Sequence, residues 1–167
     1  FPSLFYCFVK GVNEIEAFKY RIVEDRVVKY GRIDGDMTVP IEGDRFAFCR
    51  VAYHENPCDF FKEVARAEAE AKKQTELVAN DWFDVVWVSC NPWFSFTSMT
   101  APTVDRRMRS IPLLLVGKYY ESGGKTFLPL GIKVNHALID GLHIGQLLSH
   151  FENSFKTPEK IFGEEPA

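Results

Sequence analysis

Between Asn56 and Asn80 the chain is rich in Ala, Glu and Lys, and Phe60, Val64, Ala67 and Ala71 recur on one face at helical spacing. A helix with one apolar stripe must lay it on another layer. The next segment supplies that layer: Val85, Val86, Trp87, Val88 and Ser89 form a short, nearly continuous apolar run that Asn91 and Pro92 end, which reads as a buried strand. A helix seated on a sheet is the minimum this chain builds.

The remaining segments extend that unit. Leu4, Phe5, Phe8, Val9 and Val12 follow Pro2 and Ser3 at helical spacing and predict a helix ending near Val12 or Asn13. Short β-branched runs at 20–23 and 27–30, separated by Glu24 and Asp25, read as a hairpin. Further strands are expected at 38–41 and 46–53, the first preceded by a turn signal at Asp34, Gly35 and Asp36. A long hairpin is expected over 113–120 and 126–134 with its turn at 121–125. A tight connection at 136–141 then leads to a last helix, with Ile144, Leu147, Leu148 and Phe151 inward and Leu142, Gln146, Ser149 and Asn153 outward. The polar tail from Thr157 is expected to fray.

Two hairpins argue against a purely parallel sheet. The expected fold is α/β, a two-layer sandwich in which helices pack on a mixed β-sheet. No repeat, low-complexity stretch or linker divides the 167 residues, so 1–167 reads as a single domain. The chain starts at Phe1 without a Met and inside an apolar helical pattern, so the expectation is that an N-terminal part is missing.

Composition removes several function classes. A formal net charge of -3 gives no general reason to bind nucleic acid or an acidic membrane surface. No apolar run approaches a bilayer span, and the first residues given show no charged segment followed by an apolar signal core. Cys7, Cys49, Cys58 and Cys90 form no C-x-x-C pair and no short His partnership, so no metal site and no disulfide framework is expected, and a cytoplasmic location is the simplest one. Fifteen Phe residues fit either a Phe-rich core or an apolar pocket or subunit interface.

The chemistry concentrates in His136, Asp140 and Gly141, an H-x-x-x-D-G pattern at the end of a hydrophobic strand and the start of a helix. A His at a strand end can project into a cleft, and an imidazole, whose ordinary pKa lies near neutrality, is suited to take a proton from a hydroxyl. Asp140 sits where a cap or salt bridge would hold the turn, and Gly141 where a backbone angle resisted by other residues is available. The bare pattern is also compatible with a capping Asp beside an incidental His.

Several further segments occur in order with it. Residues 91–98 (Asn-Pro-Trp-Phe-Ser-Phe-Thr-Ser), then Gly117, Lys118, Tyr119 and Tyr120, then Leu128, Pro129 and Leu130, and finally His136 to Gly145 resemble the chloramphenicol acetyltransferases. Asn13 and Glu14 followed by Phe18, Lys19, Tyr20 and Arg21 are similar to that family's N-x-x-P-E-F-R stretch, interrupted by Ile15 and Ala17. The resemblance runs from Phe1 to about Phe155 and implies the coenzyme-A-dependent acyltransferase fold.

It implies roles for matching positions. His136 matches the general base that deprotonates the acceptor hydroxyl, and Ser98 the serine that donates a hydrogen bond to the tetrahedral oxyanion. The acetyl group of acetyl-CoA, the acyl donor and a co-substrate, then passes directly to the acceptor in a ternary complex. Asp140 matches a structural aspartate paired with an arginine near the family's N-terminus. Lys118 and Tyr119 match positions lining the coenzyme A site. Trp93 and Phe94 are offered as walls of the tunnel where thioester and acceptor meet, or as core. His143 reads as a packed, satisfied His, while His54 and His150 carry no motif. A homotrimer with active sites between subunits is implied by resemblance alone.

Departures qualify the acceptor. Asn135 stands where the family has a first histidine, and Leu115 where it has a threonine holding an active-site water. If the arginine partner of Asp140 is missing, a buried unpaired carboxylate is the expected cost. Acetylation of chloramphenicol, with antibiotic resistance as the role, is the leading expectation. The same chemistry on another hydroxylated small molecule and a non-catalytic ligand-binding protein of the same fold are the alternatives.

Overall fold

The computed structural model describes residues 1–78, 80–101 and 109–163. Helix α1, Pro2–Glu14, starts on a proline whose missing N–H costs nothing in the first turn, and it buries Leu4, Phe5, Tyr6, Cys7, Phe8, Val9 and Val12. Asn13 fixes its end: the side chain donates to the Ile33 carbonyl at 2.7 Å and accepts from the Ile33 N–H at 2.9 Å. Strands β1, Tyr20–Val23, and β2, Arg26–Lys29, then form the small hairpin expected from the β-branched runs, turning on Glu24 and Asp25 at positive φ.

The main sheet is mixed. Strands β3, Asp34–Ile41, and β4, Arg45–Val51, pair antiparallel, and β3 also pairs parallel with β5, Val85–Cys90. Strand β5 pairs parallel with β6, Leu113–Val116, which pairs antiparallel with β9, Leu130–Lys133, giving the order β4-β3-β5-β6-β9. Helix α2, Pro57–Ala71, makes the crossover from β4 to β5; Asn56 caps it by accepting from Cys58 N–H at 2.8 Å.

Among the described residues the helices gather on one face of this sheet. Met37 and Val39, Ala47, Cys49 and Val51, Val86 and Val88, and Leu114 and Val116 point there and are buried together with Phe60, Val64, Ala67 and Ala71 of α2. Each large apolar side chain removed from water stabilises this layer by about 1.5–3 kcal/mol. Gly35 belongs to the same face. A Cβ there would lie 2.3 Å from Phe5 Cζ, so the glycine lets α1 approach the sheet.

Four local expectations need correction. Asp34, Gly35 and Asp36 are the first residues of β3 and not a turn. Turn chemistry yields to paired burial: Asp34, almost fully buried, accepts from Arg50 at 2.8 Å and from the Tyr53 N–H at 3.0 Å. The long hairpin is split into the β6–β9 ladder and a distal one between β7, Tyr120–Ser122, and β8, Lys125–Phe127, which turns on Gly123 and Gly124 at positive φ. Pro129 has no N–H to contribute where the ladder breaks, although its carbonyl accepts from Gly117 N–H at 3.0 Å.

Helix α3, Gly141–Lys156, turns Leu147, Phe151 and Ser154 inward, whereas Leu148 is 40% exposed. Ser154 is tolerated there because its hydroxyl donates to the His150 carbonyl at 2.8 Å. The tail does not simply fray: α4, Glu159–Phe162, returns Phe162 to stack on Phe61 with ring centroids 5.9 Å apart, while 164–167 lie outside the described residues. Among the described residues no helix is long and apolar enough to cross a membrane.

Candidate active site

The face of the sheet away from the helices carries different residues. Asp36 and Thr38 of β3, Phe48 of β4, Trp87 and Ser89 of β5 and Leu113 of β6 alternate with the core positions and line a cavity of about 310 Å³. Leu77 and Asn80, from the segment between α2 and β5, form its outer wall. Most of this lining is apolar, with a few polar groups converging on it, the composition of a site for a small organic molecule.

Residues 91–101 leave β5 and cross this open face. Phe96 holds them down: a Cβ added at Gly117 would lie 2.8 Å from its ring, so that glycine makes room for the phenyl group, which also packs over Gly131. The Phe94 carbonyl accepts from Lys118 N–H at 2.9 Å, and Asn91 N–H donates to Val116 O at 2.8 Å. Met99, Thr100 and Ala101 then line a groove of about 430 Å³ with Leu115, Gly131, Ile132, Lys133 and Val134. The segment that carries Ser98 is thereby brought alongside the strand that leads to His136.

The turn after β9 is built by Asn135. Its side chain accepts from Ala137 N–H at 2.9 Å and donates to Arg109 O at 2.7 Å, while its carbonyl accepts from Leu138 and Ile139 N–H at 3.0 and 2.9 Å. His136 is exposed, and its Nδ1 lies 3.4 Å from the Ile139 carbonyl. A carbonyl only accepts, so this contact favours the tautomer with its proton on Nδ1, in which Nε2 keeps its lone pair. The geometry leaves a base on the outward side of the ring.

Asp140 caps α3. Its carboxylate accepts from Leu142 N–H at 2.9 Å and His143 N–H at 3.4 Å, and its own N–H donates to His143 Nδ1 at 3.1 Å, a reciprocal capping box. The expected buried, unpaired carboxylate is therefore not found: the Asp140 side chain is 51% exposed and is satisfied by the helix it starts. His143 is a cap partner rather than a core residue, and Gly141, with open space around it and no positive φ, is not the strained position expected.

The other expected site residues are spread along the sheet. Lys118 and Tyr119 follow β6 at the Val116 end, whereas His136 follows β9 at the Leu113 end, so roughly 10 Å of strand separates them within one protomer. Trp93 is 80% and Phe94 54% exposed, which rules out the core reading for both. Ser98 is exposed on its loop, and among the described residues no hydrogen bond joins it to His136.

A serine that sequence reasoning passed over is better held. Ser89 is the half-buried cross-strand neighbour of Leu115 and opens into the 310 Å³ cavity. The available signal was a hydroxyl inside an otherwise apolar strand; which face it used depended on a register that only the folded sheet reveals.

Known proteins resemble the chain along most of its length. The family model for chloramphenicol acetyltransferase matches residues 1–152. A chloramphenicol acetyltransferase of Escherichia coli is 39% identical over 154 residues, covering 91% of this chain and 70% of the relative. One from Proteus mirabilis is 27% identical, with 91% and 71% covered. Among solved structures, a chloramphenicol acetyltransferase superposes with a TM-score of 0.76 at 28% identity over 91% of this chain and 75% of that one, the same mixed sheet with packed helices. The cubic core of the pyruvate dehydrogenase multienzyme complex shares the fold at a TM-score of 0.65 and 14% identity, covering 95% and 69%.

Proposed function

The chain belongs to the chloramphenicol acetyltransferase family, and from that premise we propose that it moves the acetyl group of acetyl-CoA to a hydroxyl of chloramphenicol, with His136 as general base. The acceptor oxygen gives its proton to His136 Nε2 as it attacks the thioester carbonyl. The tetrahedral oxyanion collapses with cleavage of the carbon–sulfur bond, and the leaving thiolate recovers the proton from the imidazole. The observation that supports this reading is the Nδ1 contact to the Ile139 carbonyl, which favours the tautomer with Nε2 as acceptor.

The oxyanion needs a donor already aimed at it, because preorganised donors are worth about two to three orders of magnitude in rate. Motif position offers Ser98, and geometry offers Ser89. We favour Ser89, which a strand holds at the wall of an apolar cavity, over Ser98 on an exposed loop. Lys118 and Tyr119, exposed beyond β6, are proposed to contact acetyl-CoA, the lysine through a phosphate and the tyrosine by packing on it. Trp93 and Phe94 would face the same substrate.

Because His136 and the Lys118 end of the sheet lie apart in one protomer, the reading includes a homotrimer in which His136 faces a neighbour's open-face cavity. Antibiotic resistance in the cytoplasm is the proposed role. Leu115 supports a second acceptor reading. It is 7% exposed beside Ser89 and offers no hydroxyl, so another hydroxylated small molecule with a more apolar face fits the same machinery.

Thiol release from acetyl-CoA, followed with and without chloramphenicol, tests the proposal. Turnover by the natural protein and a loss of about two to four orders of magnitude in kcat for His136→Ala, with acceptor binding retained, are expected. Equal activity in His136→Ala would remove the general base, and turnover of other hydroxylated acceptors alone would remove chloramphenicol.

A further inference from the structure

The outer wall of the open-face cavity is irregular chain, so something other than a hydrogen-bond ladder must hold Leu77 and Asn80 in place. Three arginines do so. The guanidinium of Arg45 donates to the Thr75 carbonyl and, through Nε, to Glu42 O at 3.0 Å. Arg21, wholly buried, donates to the carbonyls of Phe83 at 2.8 Å and Val85 at 2.6 Å, and also to Phe18 and Tyr20. Arg45, the first residue of β4, ties the sheet to Thr75 at the far end of the wall, and Arg50 ties it at the near end, where the Asp34 N–H also donates to Asp84 O at 2.9 Å.

Arg50 rises from β4. Its Nε and Nη2 donate to Asp34 Oδ2 at 3.0 and 2.8 Å, and Nη2 also donates to Asp84 Oδ2 at 2.7 Å. Its Cζ lies 5.3 Å from the centroid of the Trp82 ring. Asp34 belongs to the sheet, whereas Trp82 and Asp84 are the root of the wall. A planar guanidinium can bridge two carboxylates and stack on an indole at once, which an ammonium cannot do.

Loss of Arg50 would not orphan Asp34. The buried carboxylate keeps Arg32 Nε at 3.1 Å and the Tyr53 N–H at 3.0 Å. The sheet therefore retains its partners, and the consequence falls on the wall.

We propose that Arg50 is a positioning residue for the acceptor: by bridging Asp34 and Asp84 and lying on Trp82, it sets how closely Leu77 and Asn80 stand over the sheet, and so the width of the acceptor site. This rests on the reading that the open-face cavity takes the acceptor. Arg50 touches no reacting atom, so its removal acts on acceptor affinity and leaves the chemical step and acetyl-CoA affinity in place.

Arg50→Gln and Arg50→Lys in the intact protein test this. Arg50→Gln should raise the KM for chloramphenicol about tenfold, with kcat and the KM for acetyl-CoA changed by less than about twofold. Arg50→Lys, which keeps the charge without the fork, should fall between. Amide exchange over 76–84 should accelerate in Arg50→Gln while α1 and α2 keep their protection. Unchanged acceptor KM beside active natural protein, unchanged exchange over 76–84, or a joint fall of kcat, both affinities and thermal midpoint would each overturn the proposal. If the natural protein does not turn over chloramphenicol, the acceptor reading fails by that result alone, and the exchange measurement then decides for or against Arg50.

Discussion

The two faces of the five-stranded sheet are built from alternate residues of the same strands, yet they obey different rules. Toward the helices stand Met37, Val39, Val86, Val88, Leu114 and Val116, all buried and all apolar. Toward the open side stand Asp36, Thr38, Trp87, Ser89 and Leu113, a mixture that leaves a cavity instead of filling one. Packing is close to complete on the first face, so a change there is read as stability. On the second, hydroxyls, carboxylates and aromatic rings are displayed on a rigid floor, so a change there is read as activity.

The contrast can be attacked from either side. The largest effect is expected at Phe60, fully buried under the covered face: Phe60→Ala should lower unfolding free energy by about 3–5 kcal/mol in denaturant titration. Activity per folded molecule should stay near that of the natural protein, and a selective loss of kcat would blur the division. Next come the two serines. Ser89→Ala should reduce kcat by about two to three orders of magnitude with little change in unfolding midpoint, and Ser98→Ala by far less. The reverse order would return the oxyanion to the loop.

The smallest effect tests the helix layer itself. His150, on α3, lies 3.0 Å from Glu14 of α1, which also pairs with Lys10 at 2.7 Å. Burial pushes the imidazole below its ordinary value near 6.5, and its Nε2 is enclosed without a hydrogen-bond partner among the described residues. A depressed folded pKa means that the unfolded chain binds the proton more readily. The contribution to stability is therefore full above 6.5 and is lost as pH falls through the folded value. His150→Gln should flatten that part of the stability profile without altering kcat at neutral pH. An unchanged slope would show that other groups set it.

The covered face was legible in the sequence because burial leaves a periodic trace. Phe60, Val64, Ala67 and Ala71 predicted the buried side of α2, and all four are buried. Where the reading failed, a residue's usual chemistry was overruled by a distant partner. Asp34 and Gly35 carry turn chemistry, yet Arg50 satisfies the carboxylate and Phe5 occupies the space a side chain would need. Ser154 replaces Leu148 as an inward residue because a backbone carbonyl one turn away takes its hydroxyl. Of the candidate site, the turn from Asn135 to Asp140 was visible as a motif. The placing of Ser89 and Arg50 was not, since strand register and the route of residues 75–84 depend on contacts far apart along the chain.

The phenyl ring of Phe96 seated over Gly117 and Gly131 ties three distant positions into one mechanical joint. Gly117 and Phe96 cannot drift independently in evolution: a methyl group at Gly117 calls for a smaller plug at 96, and a smaller plug loosens everything threaded between Asn91 and Ala101. Variation in this stretch is therefore free to accumulate on the outward side chains, Trp93 and Phe94 among them, while the fastening beneath stays constant. New surface chemistry can be tried there without rebuilding the frame that carries it.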